Sequence, residues 1–522
     1  MIILKQCGSY ISNNRLKIFL SILSGFFMFM AFPDKNIHYF SWFCFVPLLF
    51  AIRNTSYKEA YCLSLITGMI SVCGGYFWLT YLSENFIGIP FPLNYIFWLC
   101  AAFFTAQLFG LIFTGFKLLQ EKTACNDFLL FPGILVTIWS VFPNIFFVNL
   151  ANGMTFFPEV LQASEFTGAY GVDFIIALAN ITLFKMLDKD SFKKHIKGII
   201  MAATIIILWL SYGFYAINLW DNKISTWDKK NIGLVQSNRV SSKDSLPIEP
   251  GEDHVSPFEM SLSKELVKKG AEVVIWPEGH FRGFLNRETI NEAYKKFAAE
   301  LGVSVLFHDL PAYRVENRIV YRNASIWLNE KGEYAGVYYK RRLVPFGEYI
   351  PILNHFETLE NLLQLHSLTP GEDAKVFNIS GMKIQPLICY EIQFGNFVAK
   401  SIGFMPAGKV ILTQSNDGWY GKGAQSEQHR TSNTLRAIET RLPVVHLINN
   451  GKSAVVLPNG RTMYLSNSWK REAVNVMMPY NPVEGGSFYT KYPNLIFNLF
   501  RFFFVLLIAR LYWKNKKSLK DL

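Results

Sequence analysis

The chain runs to 522 residues, of which 51% are hydrophobic and only 17% charged, against about 25% charged in ordinary soluble domains. That deficit excludes a wholly soluble protein, and it is local: residues 1–220 hold long uncharged runs, whereas 221–490 have the composition of a globular domain. The net charge of +12 reflects lysine and arginine in short loops rather than a nucleic-acid surface, and the nine scattered histidines, with no zinc spacing, phosphate-binding loop or dinucleotide fingerprint, imply neither a metal nor another cofactor.

A helix that crosses a membrane needs about 20 predominantly apolar residues. Spans are expected near 16–32, 38–52, 60–82, 95–116, 128–148, 171–187 and 198–219, with an eighth near 493–512. The first ends in Met30-Ala31-Phe32-Pro33, which lacks the small-x-small pattern of a cleaved leader and predicts a retained helix. Basic residues crowd into alternate connections (Arg15 and Lys17; Arg53 and Lys58; Lys117 and Lys122; Lys189, Lys193, Lys194 and Lys197; Arg510 and Lys514). The intervening short segments 33–37, 83–94 and 149–170 carry only Lys35. This bias places both termini in the cytoplasm and residues 221–490 outside it. The expected organisation is a seven-helix transmembrane region (1–220), an extracytoplasmic domain (221–490), and a C-terminal transmembrane helix with a cytoplasmic tail (491–522). Arg501 interrupts the last span and is expected to snorkel to the interface.

Within 221–490, short β-rich runs alternate with polar helical patterns, which predicts an α/β sheet domain. Strands are expected at 231–236, 272–276, 303–307, 324–328, 335–339, 383–388, 410–414, 444–448 and 453–457, and helices at 259–269, 287–301, 396–402 and 427–440. The stretches 241–257 and 353–374 read as loops.

Three strand ends carry chemistry-bearing side chains. Glu278 follows Val273-Val274-Ile275-Trp276-Pro277, where proline ends the strand. Lys340 follows Tyr338-Tyr339. Cys389 closes the run Ile384–Ile388 and is the only cysteine of the soluble stretch, so it has no partner for a disulfide. Each alone reads more readily as an ordinary residue: a solvated loop carboxylate, a basic turn, a small core thiol. Together they offer a base, a cation and a nucleophile.

In this order, and with Leu343-Val344-Pro345-Phe346-Gly347-Glu348-Tyr349, Ser415-Asn416-Asp417-Gly418-Trp419-Tyr420-Gly421, Gln428-His429, Leu435-Arg436-Ala437-Ile438-Glu439 and Asn449-Asn450-Gly451, the chain resembles the nitrilase (carbon–nitrogen hydrolase) superfamily over roughly 230–480. With the seven-plus-one arrangement of spans, it resembles more specifically the apolipoprotein N-acyltransferases over essentially its whole length. The resemblance implies a polytopic helical membrane protein with an inserted αββα sandwich and a Glu278-Lys340-Cys389 triad.

It also implies an activity: transfer of an acyl chain from a membrane phospholipid to the N-terminal amine of a diacylglyceryl-modified apolipoprotein at the bacterial inner membrane. Glu348 and Glu391 match acidic residues beside the triad, Tyr390 and Trp419 match aromatic site positions, and Trp419-Tyr420 is expected to form a mobile lid or acyl-chain contact. Apolar loop residues, Phe281, Phe284 and Leu285 among them, are expected at the lipid headgroups. Three positions depart from the family pattern: Ser245 stands where a tryptophan is usual, Arg282 where a proline is, and His446 where an arginine is. The competing readings are a membrane-anchored amidase that uses the same triad to hydrolyse a C–N bond, and a non-enzymatic scaffold. Eight spans serve no evident need of the first, and an intact triad argues against the second. A transporter is excluded because the long spans are nearly free of ionisable residues.

Overall fold

The computed structural model describes residues 15–146, 149–241, 248–315, 318–351, 367–403 and 406–520. The chain divides into two compact units. One takes residues 1–83, 90–216 and 492–522; the other takes 84–89 and 217–491.

The first unit is helical. Leu93–Lys122, Ala169–Leu187 and Lys189–Ser225 are each long and apolar enough to cross a membrane. Tyr57–Gly75 and Leu79–Ile87 make a fourth crossing if counted as one, with a bend of 64° between them. The C-terminal helix Leu495–Lys520 runs unbroken for 26 residues, whereas the remaining expected spans are shorter or broken among the described residues. Arg15–Met30 has 16 residues and Asp127–Val141 has 15, while 38–51 divides into a 3-10 turn and a six-residue helix begun at Val46-Pro47. The reason is local: proline at position 47 and the Gly74-Gly75 pair interrupt chain direction without lowering apolar content.

Two buried polar side chains inside this unit are held by backbone groups. The buried Asn180 accepts from Phe45 N (2.8 Å) and donates to Ser41 O (2.8 Å), and Asp173 accepts from Ala151 N (2.8 Å). Arg501 does not hang free in its helix; it donates to the Ser140 carbonyl at 3.1 Å. Many apolar side chains on these helices, Phe103, Leu111, Ile207, Leu208 and Val505 among them, lie exposed, a surface suited to hydrocarbon rather than water.

The second unit is a four-layer α/β sandwich. Its strands are β1 (Asp228–Gln236), β2 (Val273–Ile275), β3 (Ser304–Asp309), β4 (Ala312–Val315), β5 (Arg318–Tyr321), β6 (Ala324–Leu328), β7 (Tyr334–Tyr339), β8 (Phe377–Ile379), β9 (Met382–Ile388), β10 (Lys409–Ser415), β11 (Val444–Ile448), β12 (Ala454–Val456), β13 (Thr462–Leu465) and β14 (Glu472–Tyr480). Two six-stranded sheets run in the orders β14-β1-β2-β3-β6-β7 and β13-β12-β11-β10-β9-β8. Side-chain alternation builds the layers. Ile232, Val273, Ile275, Ile384, Ile388, Val410, Leu412 and Val445 share the core between the sheets. Val274 and Trp276 point the other way, to helices Phe258–Lys268 and Glu288–Leu301. Leu387, Ile411 and Val444 point to helices Gly395–Ile402 and Gln425–Thr440. Strands covered on both faces read as unbroken apolar runs.

Phe284 does not reach a surface. It is 1% exposed and packs with Trp276, Tyr294 and Phe307, because the Asp309 carboxylate accepts from the amides of Arg282, Gly283 and Phe284 and folds that loop inward. Most of the expected 353–374 loop, and Ser245, lie outside the described residues.

Arg282 has a clear structural role. With Arg239 it flanks the fully buried Glu259: Arg239 Nη2 lies 2.7 Å and Arg282 Nη2 3.3 Å from its carboxylate. Removing one partner of a buried ion pair strands the others, at a cost of about 3–5 kcal/mol. Glu259→Ala should therefore lower the thermal unfolding midpoint of the purified protein by several degrees; an unchanged midpoint would contradict the network's role in this fold.

Candidate active site

In the first sheet β2 and β3 are parallel, and β6 is antiparallel to both β3 and β7, so β2 and β7 end at the same edge. Glu278 stands just beyond β2 and Lys340 directly after β7. In the second sheet β9, β10 and β11 are parallel, and Cys389 directly follows β9. A bond from Gln414 Nε2 to Trp276 O (2.6 Å) ties the end of β10 to the end of β2.

The three side chains converge. Lys340 Nζ lies 2.8 Å from Glu348 Oε1 and 4.0 Å from Glu278 Oε1, and the Cys389 thiol lies within electrostatic reach of both Glu278 and Lys340. All are withdrawn from water, with Lys340 1%, Glu278 8% and Cys389 6% exposed. Burial pushes the thiol well above its usual range; Glu278 pushes it further and Lys340 opposes. Burial also raises the pKa of Glu278, against the pull of Lys340. Burial disfavours the ammonium of Lys340, but Glu348, Glu278 and Cys389 outweigh it, and its pKa lies above the ordinary lysine range. The arrangement is a protonated thiol beside a carboxylate with enhanced proton affinity and a fixed cation. It can deliver a thiolate to a carbonyl while the proton moves to Glu278.

Glu348 and Glu391 do different things. Glu348 pairs with Lys340 and accepts from Val344 N (2.8 Å), closing its own loop. That loop admits no side chain at Gly347, where a Cβ would lie 2.0 Å from the Phe86 ring. Glu391 is fully buried and accepts from Tyr338 OH (2.8 Å), Arg341 N (2.7 Å), Arg342 N (3.1 Å) and Ile388 N (2.8 Å). It joins the end of β7 to the end of β9. Cys389 itself has φ 51°, the left-handed region that a residue with a Cβ rarely enters. Tyr390 is buried edge-on to Phe394, with ring centroids 4.8 Å apart. Trp419 is half-buried and packs on Phe86 at 4.8 Å, while Tyr420 is buried.

Sequence reasoning missed two residues here. Asn323 donates from Nδ2 to Glu278 (2.9 Å) and to Glu348 (3.2 Å), so it bridges the two acids. Its orientation is set by His308, which accepts from Gly279 N at Nδ1 (3.2 Å) and must therefore donate from Nε2 to Asn323 Oδ1 (2.6 Å). Burial holds His308 neutral, its pKa lowered to about 3. The local signals were slight: Asn323 is a polar residue at the mouth of β6, and His308 is a polar residue that follows the apolar run of β3.

These features define a carbon–nitrogen hydrolase domain, and the corresponding family model, "Carbon-nitrogen hydrolase", matches residues 259–478. A second model, "Apolipoprotein N-acyltransferase N-terminal domain", matches residues 24–182. The relative from Geobacter metallireducens named apolipoprotein N-acyltransferase is 24% identical over 91% of each chain. That from Rickettsia prowazekii is 26% identical over 85% of this chain and 87% of its own. An amidase crystal structure from Nesterenkonia sp. is 16% identical, covering 52% of this chain and 96% of its own, at a TM-score of 0.37. The chain belongs to the apolipoprotein N-acyltransferase family.

Two outcomes follow from the geometry. Glu278→Gln and Lys340→Ala should each slow acyl capture by Cys389 by on the order of 10²-fold or more, read as acyl-enzyme formation by intact mass; rates within a few-fold of wild type would remove that residue from the chemistry. The rate should also fall on acidification as Glu278 takes up a proton. Because its pKa lies above the ordinary 4.5, the acidic limb of the pH–rate profile should inflect above pH 4.5; an inflection at or below that value would contradict Glu278 as the base.

Proposed function

We propose that this protein transfers an acyl chain from a membrane phospholipid to the N-terminal α-amino group of the S-diacylglyceryl cysteine of apolipoproteins, the last step of bacterial lipoprotein maturation. The reaction is ping-pong. Cys389 gives its proton to Glu278 and attacks the ester carbonyl, and the oxyanion is met by Lys340 and the backbone N–H of Tyr390. Collapse forms the Cys389 thioester and expels the lysophospholipid alcohol, which takes the proton from Glu278. The acceptor amine then attacks the thioester, Glu278 receives the amine's proton, and the thiol is restored. Glu348 and Asn323 hold Lys340 and Glu278 in place, Glu391 holds the turn of Cys389, and Trp419, Tyr420 and Tyr390 form the apolar wall for the lipid substrates. No cofactor takes part.

The observation that carries this reading is the union, in one chain, of the N-terminal domain model with the carbon–nitrogen hydrolase domain. The amidase reading accounts for the second part and leaves the helical unit without a purpose. A lipid acyl donor gives it one. The shorter apolar helices complete a set of about eight spans, with 1–220 and 491–522 in the inner membrane. The distribution of lysine and arginine supports a periplasmic position for the domain at 221–490.

In detergent or nanodiscs, the purified protein should convert a fluorescent phospholipid and a diacylglyceryl lipopeptide to lysophospholipid and N-acyl lipopeptide, and Cys389→Ala should be inert. Free fatty acid as the main product, or turnover by the Ala variant, would contradict the proposal. Ser256 is exposed, so in Ser256→Cys cells an impermeant maleimide should label that cysteine in intact spheroplasts. Protection until the inner membrane is lysed would reverse the topology.

A further inference from the structure

Beneath the nucleophile lies a buried ion pair that the mechanism above does not use. His429, on the helix Gln425–Thr440, and Asp417, just beyond β10, are both fully buried. His429 Nδ1 is 3.0 Å from Asp417 Oδ1, and its Nε2 is 3.1 Å from the carbonyl oxygen of Cys389. A carboxylate and a peptide carbonyl can only accept, so the imidazole is called on to donate from both nitrogens. Burial works against that charge, but Asp417 and the Cys389 carbonyl outweigh it and raise the pKa of His429. The Ser415 hydroxyl also reaches Asp417, at 3.3 Å. The neighbouring His446, edge-on to His429 at 5.1 Å, is kept neutral by burial and accepts from Asn433 at Nδ1 (3.1 Å).

The carbonyl that His429 holds belongs to the peptide joining Cys389 to Tyr390. A trans peptide is planar, with C=O and N–H antiparallel. Fixing its oxygen therefore fixes the direction of the Tyr390 N–H on the opposite edge. A charge-assisted hydrogen bond at the oxygen also polarises the same peptide and strengthens the N–H as a donor. The turn needs such a hold, since Cys389 sits at φ 51°.

We propose that the Asp417–His429 pair is a positioning device for the oxyanion site: it locks the Cys389–Tyr390 peptide so that the Tyr390 N–H faces the oxygen of the attacked ester. His429 acts through that peptide and touches no substrate. The inference rests on the acyltransferase reading, and it predicts a selective loss. Thioester formation passes through an oxyanion; alkylation of the same thiol by iodoacetamide, a displacement at a saturated carbon, does not.

The test compares both rates at Cys389 in the full-length protein by peptide mass spectrometry. In His429→Phe, which fills similar space without an N–H, thioester formation from phospholipid should fall on the order of 10²-fold, as when an oxyanion donor is lost. Alkylation should stay within about threefold and the apparent KM for phospholipid should hold. His429→Gln, which keeps an N–H at similar reach, should recover at least about a tenfold part of that loss. Equal losses in both reactions would mean mere damage to the turn and would overturn the proposal. So would a thioester rate in His429→Phe close to wild type, or a folded His429→Gln no faster than His429→Phe. Failure of the wild-type protein to form any thioester would instead overturn the acyltransferase reading beneath it.

Discussion

The structure depends on a turn that the chain would not adopt unaided. Cys389 must leave β9 in the left-handed region for its sulfur to meet Glu278 and Lys340, and a conformation of that kind costs of order 1–3 kcal/mol at a residue with a Cβ. Glu391 supplies the hold. Its buried carboxylate takes four donors from two strand ends, one from Ile388 at the end of β9 and three from Tyr338, Arg341 and Arg342 at and just beyond the end of β7. A single carboxylate thus sets the turn and the spacing between cation and thiol. Were these amides and the Tyr338 hydroxyl left without an acceptor, each buried group would cost about 1–3 kcal/mol, which is why a charged residue is retained in so apolar a place.

The same logic runs through the domain's interior. Carboxylates there are tied to backbone amides or to fixed cations rather than to solvent: Asp309 to the loop after Glu278, Glu259 to Arg239 and Arg282, Glu348 to Lys340 and its own loop. Each holds one segment of the catalytic edge. The reactive groups sit at strand ends because a sheet fixes direction and spacing there while leaving the chain free to turn. The two sheets, packed through their shared core, hold those ends against one another.

Much of this was legible in the sequence, and the gaps have physical causes. Strands such as Ala324–Leu328 and Val444–Ile448 declared themselves because they are covered on both faces and all but one residue of each is apolar. β8 was missed because three residues are too few to show a period, although the Ser380-Gly381 turn beside it takes positive φ at both positions. β14 is an edge strand whose solvent-facing Met477 blurs the alternation. In the helical unit, apolar content marked the segments but not their breaks, since hydropathy is blind to a bend after Gly75. Glu278, Lys340 and Cys389 could be picked out because each follows a strand. Asn323 and His308 could not, because their partners come from other strands and loops that the sheets bring together.

The central claim is that one thiol carries the acyl group between two lipids. The most direct measurement is a two-stage mass analysis of the purified protein. It is first incubated with phospholipid alone and cleared of donor, then chased with a diacylglyceryl lipopeptide. The account predicts one acyl mass on the Cys389 peptide after the first stage, lost in the second as an equal amount of N-acyl lipopeptide appears. An acyl group that never resides on Cys389, or one that leaves to water at the same rate whether or not the amine is present, would contradict it.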